Sequence, residues 1–171
     1  MLIRAFRVGD EPDLHQVFLS AIHGIATRDY TPEQVNAWAP KFVDPALWAD
    51  HMRGIAPFVV EHDGKPVAYA DLQPSGYIDH FFVSALFARQ GVGSKLMGRI
   101  LDAAALQGIR VLTSHVSLTA QPFFKCWGFW IVEERQPVVR GVVLPNALMK
   151  KELYDPLLHN GLKAEKVLSI I

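Results

Sequence analysis

The chain has 171 residues, half of them hydrophobic, with 17 Lys plus Arg balanced by 17 Asp plus Glu; this is enough for one ordinary domain whose core needs neither metal nor disulfide. The even charge leaves no footprint for nucleic acid or an anionic membrane, and no apolar run nears the roughly 18 residues of a spanning helix. A lone Cys126 closes no internal disulfide, and Arg4 and Arg7 interrupt the stretch where a signal peptide would be apolar, so a reducing cytoplasm and a small or neutral partner are expected.

Leu2 to Val8 alternates apolar and basic residues like a short edge strand. Gly9-Asp10-Glu11-Pro12 then predicts an N-cap and a helix to about Ile22, with Leu14, Val17, Phe18, Ala21 and Ile22 inward and His15 and Gln16 towards solvent. Thr31-Pro32-Glu33-Gln34 is a capping-box start for a second helix that buries Val35 and Trp38 before Pro40, and Asp44-Pro45 opens a third around Trp48 and Met52. Phe58 to His62 and Pro66 to Leu72 read as a hairpin across Asp63-Gly64. There follow a strand over Tyr77 to Val83, an amphipathic helix over Gly93 to Ala105, a strand over Arg110 to Val116, and a helix over Ala120 to Trp127 closed by Gly128. Trp130 to Val139 and Val142 to Lys150 read as a closing pair of strands. This order predicts an α/β domain over 1–152 around one mixed sheet. The remainder, 153–171, reads as a helical extension starting at Asp155-Pro156, able to pack on the domain or on a second subunit to make a homodimer.

The segment Arg89-Gln90-Gly91-Val92-Gly93-Ser94-Lys95-Leu96 lies between a hydrophobic strand and an amphipathic helix. Glycines let successive amides converge, and the helix adds its unpaired N–H groups, so the turn is a candidate cradle for a pyrophosphate. It is not a P-loop, because Ser94 precedes Lys95, nor a dinucleotide fingerprint, because Leu96 stands where the third glycine belongs.

Ala88-Arg89-Gln90-Gly91-Val92-Gly93 resembles the cofactor loop Gln/Arg-x-x-Gly-x-Gly/Ala of the GNAT superfamily of N-acetyltransferases, with Ala88 in place of the usual Gln or Arg. A second block, Ser117 to Phe129, is similar to that family's Asn-x-x-Ala-x-x-Phe-Tyr-x-x-x-Gly-Phe, with Phe124 where the tyrosine stands. The resemblance extends over Leu2 to Lys150. It implies a mixed, mostly antiparallel sheet flanked by helices, with one parallel pair of strands splayed apart. It also implies acetyl-CoA as the acyl donor and a primary amine on a small molecule or peptide as acceptor. On that pattern the backbone of Phe81, Phe82 and Val83 would bind the pantetheine and thioester, the amides of Arg89, Gln90, Gly91, Val92, Gly93 and Ser94 the pyrophosphate, and Ser117 and Phe124 would flank the arm.

An ammonium group has no lone pair, so the chemistry needs a base. Asp79, where family members often carry a carboxylate, is the first candidate; the competing reading pairs it with an arginine or lysine. His80 is ranked lower because strand alternation turns it to the opposite face. His115 is a second candidate, against a structural histidine as the alternative. The family's leaving-group acid is the tyrosine replaced by Phe124, but a thiolate of ordinary pKa near 8.5 can leave without full protonation. Tyr30 and Trp38, with Trp48, fall where the resemblance places one wall of the acceptor site; as aromatic residues on short helices they could equally serve the core. The seven histidines include no His-x-x-x-His pair, so no metal ligands are expected. The rival to an enzyme is a non-catalytic acyl-CoA-binding sensor or interaction module.

Overall fold

The structure, a computed structural model, describes residues 1–153; the helical extension read over 153–171 lies outside them except for Leu153, whose N–H donates to Arg110 O at 2.8 Å. The described residues form β1 (Leu2–Ala5), α1 (Glu11–Gly24), α2 (Pro32–Trp38), α3 (Pro45–Ile55), β2 (Phe58–His62), β3 (Lys65–Ala70), β4 (Tyr77–Ile78), β5 (Phe81–Val83), α4 (Val92–Leu106), β6 (Val111–Ser117), α5 (Gln121–Cys126), β7 (Trp130–Arg135), β8 (Val138–Val139), β9 (Val142–Val143) and β10 (Asn146–Glu152).

The start signals act much as their chemistry requires. Thr31 and Gln34 close a reciprocal capping box, and Asp44 accepts from Ala46 N–H. Asp10 differs from expectation. Its own backbone is already helical, so its carboxylate turns back to accept from Arg7 N–H at 2.8 Å and to pair with Arg4 at 2.7 Å. Arg4 also holds Glu61 at 2.7 Å, which clamps the edge strand β1 to β2. His15 is not turned to solvent either; its ring packs 4.9 Å from that of Trp48 and burial lowers its pKa.

The strands form a sheet in the order β1-β2-β3-β5, a second in the order β4-β6-β10-β7, and a small β8-β9 ribbon. Asp63 and Gly64 both have positive φ, +50° and +77°, as a two-residue hairpin turn requires. The closing pair is broken because Pro137 and Pro145, lacking N–H donors, interrupt both partners at neighbouring rungs, Leu144 N–H donating to Pro137 O at 2.8 Å, so β8 and β9 leave the sheet as their own ribbon.

Alternate residues of the hairpin separate two cores. Val59 and Tyr69 meet Leu14, Ile22, Val35 and Met52 under α1 to α3. Val60, Ala68 and Ala70 meet Leu96, Met97 and Ile100 of α4 on the other side, with Ile78, Leu112 and Met149 of the second sheet. Each fully buried Leu, Ile or Met contributes about 1.5–3 kcal/mol. The sheets are thereby fixed between two helical layers.

Candidate active site

The single strand expected over Tyr77 to Val83 is two strands in two sheets. β4 runs parallel to β6, Tyr77 opposite Thr113 and Ile78 opposite Ser114, whereas β5 runs antiparallel to β3. Ser114 Oγ donates to Ile78 O at 2.8 Å where the pair parts. Asp71 N–H donates to His80 O and Ser84 N–H to Val67 O, so the even-numbered residues of this stretch turn their backbone groups to β3. Strand alternation then turns the N–H and C=O groups of Phe81 and Val83 towards the gap that opens beside β6. An unpaired strand edge of this kind accepts an extended amide-bearing chain such as pantetheine.

The glycine-rich turn stands beyond β5. Arg89 and Gly91 have φ of +62° and +78°, and Lys95 N–H to Gly91 O at 3.1 Å is the bond that brings Gly91 into the helical ladder. The amides of Val92, Gly93 and Ser94 precede it and have no intrahelical partner. A Cβ on Gly93 would meet the Phe123 ring at 3.3 Å, so glycine lets the helix start sit close to α5. Left-handed turns followed by a helix N-terminus fit a pyrophosphate. Gln90 folds back, donating from Nε2 to Leu86 O, and Arg89 and Ser94 are exposed.

At the break between β4 and β5 lies Asp71, fully buried and overlooked in the sequence reading. Its Oδ1 accepts from the backbone N–H groups of Asp79 at 2.9 Å and His80 at 2.7 Å. Burial pushes its carboxyl up to about 6. Because Asp79 and His80 belong to neither strand, alternation does not separate their side chains. Asp79 Oδ2 lies 3.2 Å from His51 Nε2 on α3 and 3.9 Å from His80 Nε2, and His80 Nδ1 lies 3.0 Å from the buried Tyr69 hydroxyl. Among the described residues, the side chains that meet Asp79 are therefore His51, His80 and Tyr77, where the competing reading expected an arginine or lysine. Burial lowers the His80 pKa to about 4, despite the opposing effect of Asp79.

His115 stands across the gap, its Nδ1 3.1 Å from the Tyr77 hydroxyl, which also reaches Asp79 Oδ1 at 3.5 Å. Arg135 Nη1 lies 2.7 Å from His115 Nε2. A guanidinium only donates, so this ring nitrogen is the acceptor and the His115 proton sits on Nδ1, facing Tyr77. Burial, then the Arg135 charge, lowers the His115 pKa, while burial and Asp79 push that of Tyr77 up to about 12. Neither Tyr77 nor Arg135 was singled out in the sequence.

The remaining candidates divide by exposure. Tyr30 is buried, its hydroxyl donating to Pro145 O and accepting from Leu118 N–H, so it ties the start of α2 to the loops beyond β6 and β9. Trp48 is also buried, donating from Nε1 to Glu11 O at 2.7 Å. Trp38 is half-buried between Tyr30 and Phe82, and is the member of the expected aromatic wall with free surface. Ser117 Oγ accepts from Ala120 N–H at the start of α5. Phe124 is 2 % exposed, packed against Phe81, Phe123 and Phe129.

A splayed parallel pair, an open strand edge and an anion-binding helix start together define a fold for binding an acyl-CoA. Residues 26–153 match the family model of the acetyltransferase (GNAT) domain. The chain is 30% identical over 148 residues to the uncharacterized N-acetyltransferase YafP of Escherichia coli, covering 86% of this chain and 93% of that one. A crystal structure of a GCN5-related N-acetyltransferase from Rhodopseudomonas palustris superimposes with a TM-score of 0.84 at 27% identity, over 89% of this chain and 95% of the other. The fold is also that of yncA from Salmonella typhimurium, solved with acetyl-CoA, at a TM-score of 0.65 and 18% identity over 91% and 95% of the two chains. The chain belongs to the GNAT family of acetyltransferases.

Proposed function

We propose that the protein transfers the acetyl group of acetyl-CoA to a primary amine of a small molecule or peptide by direct attack. The observation that carries this reading is the parting of β4–β5 from β6 immediately after Ile78, which leaves the backbone of Phe81 and Val83 open beside Asp79. The acyl donor follows from family membership and from relatives solved with acetyl-CoA or coenzyme A. Pantetheine would pair with β5 as an added strand, with its pyrophosphate on the amides at the start of α4. A β5 N–H would then donate to the thioester oxygen as it gains charge, a contribution worth about 2.7–4 kcal/mol where such donors have been removed.

Asp79 would take the proton that the amine must lose. His51 and Tyr77 orient its two oxygens, and its side chain is 30 % exposed, so an incoming amine can reach it. The amine nitrogen bonds to the thioester carbon, the carbon–sulfur bond breaks, the amine proton passes to Asp79, and coenzyme A leaves as a thiolate. Trp38 and Phe82 offer the half-exposed aromatic surface beside this point for the body of the acceptor. Phe124 has no proton to give, and its burial among aromatic rings favours as second reading an acyl-CoA-binding module without turnover. Calorimetric titration with acetyl-CoA, with desulfo-CoA and ATP as controls, followed by thiol release across a panel of amines, separates the two. Binding with release supports the transferase, binding without release the module, and absence of binding rejects both.

A further inference from the structure

His51 of α3 converges with the adjacent pair Asp79 and His80, far from it in sequence, at the acceptor side of the cleft. His51 Nε2 stands 3.2 Å from both His80 Nε2 and Asp79 Oδ2, and the third edge of this triangle, His80 to Asp79, is 3.9 Å. No placement of protons gives each short contact a hydrogen bond of its own. A ring nitrogen offers one site in the plane, filled either by a proton or by a lone pair. If His51 Nε2 carries the proton, that single N–H must be shared between His80 and Asp79. If it carries the lone pair, it faces the Asp79 carboxylate with nothing between them.

A cation accepts all three lone pairs at once. With metal–ligand bonds of about 2.0–2.1 Å, tetrahedral zinc ligands stand about 3.3–3.4 Å from one another, close to the two short edges. The third edge closes by a small rotation of the Asp79 carboxylate. The supporting contacts are those of a metal site: the Tyr69 hydroxyl beside His80 Nδ1 fixes the ring so that Nε2 points into the triangle, and Asp71 pins the backbone of Asp79 and His80. Half-exposed His51 leaves an open side for a water or an acceptor atom.

We propose that His51, Asp79 and His80 form a binding site for a zinc-type divalent cation at the mouth of the acceptor cleft. Two imidazoles and one carboxylate favour zinc and its borderline neighbours over magnesium or calcium, which prefer all-oxygen sets. Cation binding stands independently of the acetyl-transfer reading. Under that reading, a bound ion takes up Asp79 Oδ2 and stops it accepting the amine proton, so the filled site is an inhibited one.

The test is titration of chelator-treated, tag-free protein with zinc by calorimetry and with cobalt(II) by visible ligand-field absorption, without acetyl-CoA. A Cys126→Ser background removes the exposed thiol as a competing ligand. One equivalent should bind, and His51→Ala and Asp79→Asn should each weaken it by more than about tenfold, the smaller loss typical of a second-shell partner. His62→Ala, which alters an exposed His–Asp pair elsewhere, should leave binding unchanged. His51→Ala on a half-exposed helical position should preserve the fold, checked by circular dichroism. Wild-type binding no tighter than that of His51→Ala, or an equal loss in His62→Ala, overturns the proposal.

Discussion

Asp71 and His80 hold each other twice: His80 gives its backbone N–H to Asp71 Oδ1 at 2.7 Å, and Asp71 gives its own N–H to His80 O at 3.1 Å. This pair fixes the chain where it leaves one sheet for the other, and both side chains are held away from their ordinary ionisation. The Asp71 carboxyl is pushed up to about 6 by burial, so between its unfolded value and 6 the native state holds the extra proton and stability falls as pH rises. His80 is lowered to about 4, so over about pH 4–6.5 the unfolded state holds the extra proton and stability rises with pH.

These slopes oppose one another in the wild-type protein. Asp71→Asn keeps an oxygen for the two N–H groups but removes the carboxyl titration. In chelator-treated protein its stability should therefore rise more steeply between pH 4 and 6.5 than that of wild type, by up to about 3 kcal/mol at the upper end. Denaturant unfolding across that range reads the difference, and parallel curves would show that Asp71 carries no raised carboxyl.

Asp79→Asn should leave acetyl-CoA affinity unchanged and lower kcat by about 10²–10⁴-fold, the usual contribution of a positioned base. The substitution keeps the volume and the oxygen near Tyr77, so a structural cause would show in cofactor binding as well. Equal turnover by wild type and variant refutes the assignment.

The parts of the fold legible in the sequence were those governed by local chemistry. Thr31 and Gln34, Asp63-Gly64, and the apolar spacing of α4 act within a few residues, and the glycine-rich turn lies where its pattern placed it. What could not be read depends on contacts across the chain. Tyr77 to Val83 has the composition of one strand, and its break is set by Asp71, eight residues earlier and mistaken for part of an apolar run. The clue was a carboxylate inside that run, since such a group is buried only when it has donors to accept from. Once the strand breaks, the alternation that separated His80 from Asp79 no longer applies. His51 and Arg135 carried no signal at all, since only tertiary packing brings them to the cleft.

Gly91→Val tests the anion cradle by conformation and not by crowding. A Cβ at Gly91 would have nothing within 4 Å, but φ is +78°, a region that costs a β-branched residue about 1–2 kcal/mol or more. The loop should shift to relieve this, weakening acetyl-CoA binding roughly tenfold, with little change in affinity for a pantetheine fragment that lacks the pyrophosphate. Calorimetry with both ligands checks it; equal losses for both would place the pyrophosphate elsewhere.

Arg135 determines whether His115 can act as a base. Its Nη1 donates to His115 Nε2 at 2.7 Å while Nε and Nη2 hold Glu133 Oε2, at 3.0 and 2.6 Å. The lone pair that would accept a proton is thus already engaged, and the neighbouring positive charge further disfavours the imidazolium. Arg135→Met frees that nitrogen, removes the repulsion and leaves Glu133 unpaired nearby, all of which raise the His115 pKa. A ring-carbon NMR titration should show its midpoint moving up towards the ordinary histidine value near 6.5. An unmoved midpoint would mean that burial alone holds it down. Because the wild-type ring is so engaged, His115→Gln should slow acetyl transfer far less than Asp79→Asn, and the reverse order would move the proton acceptor to the other side of the gap.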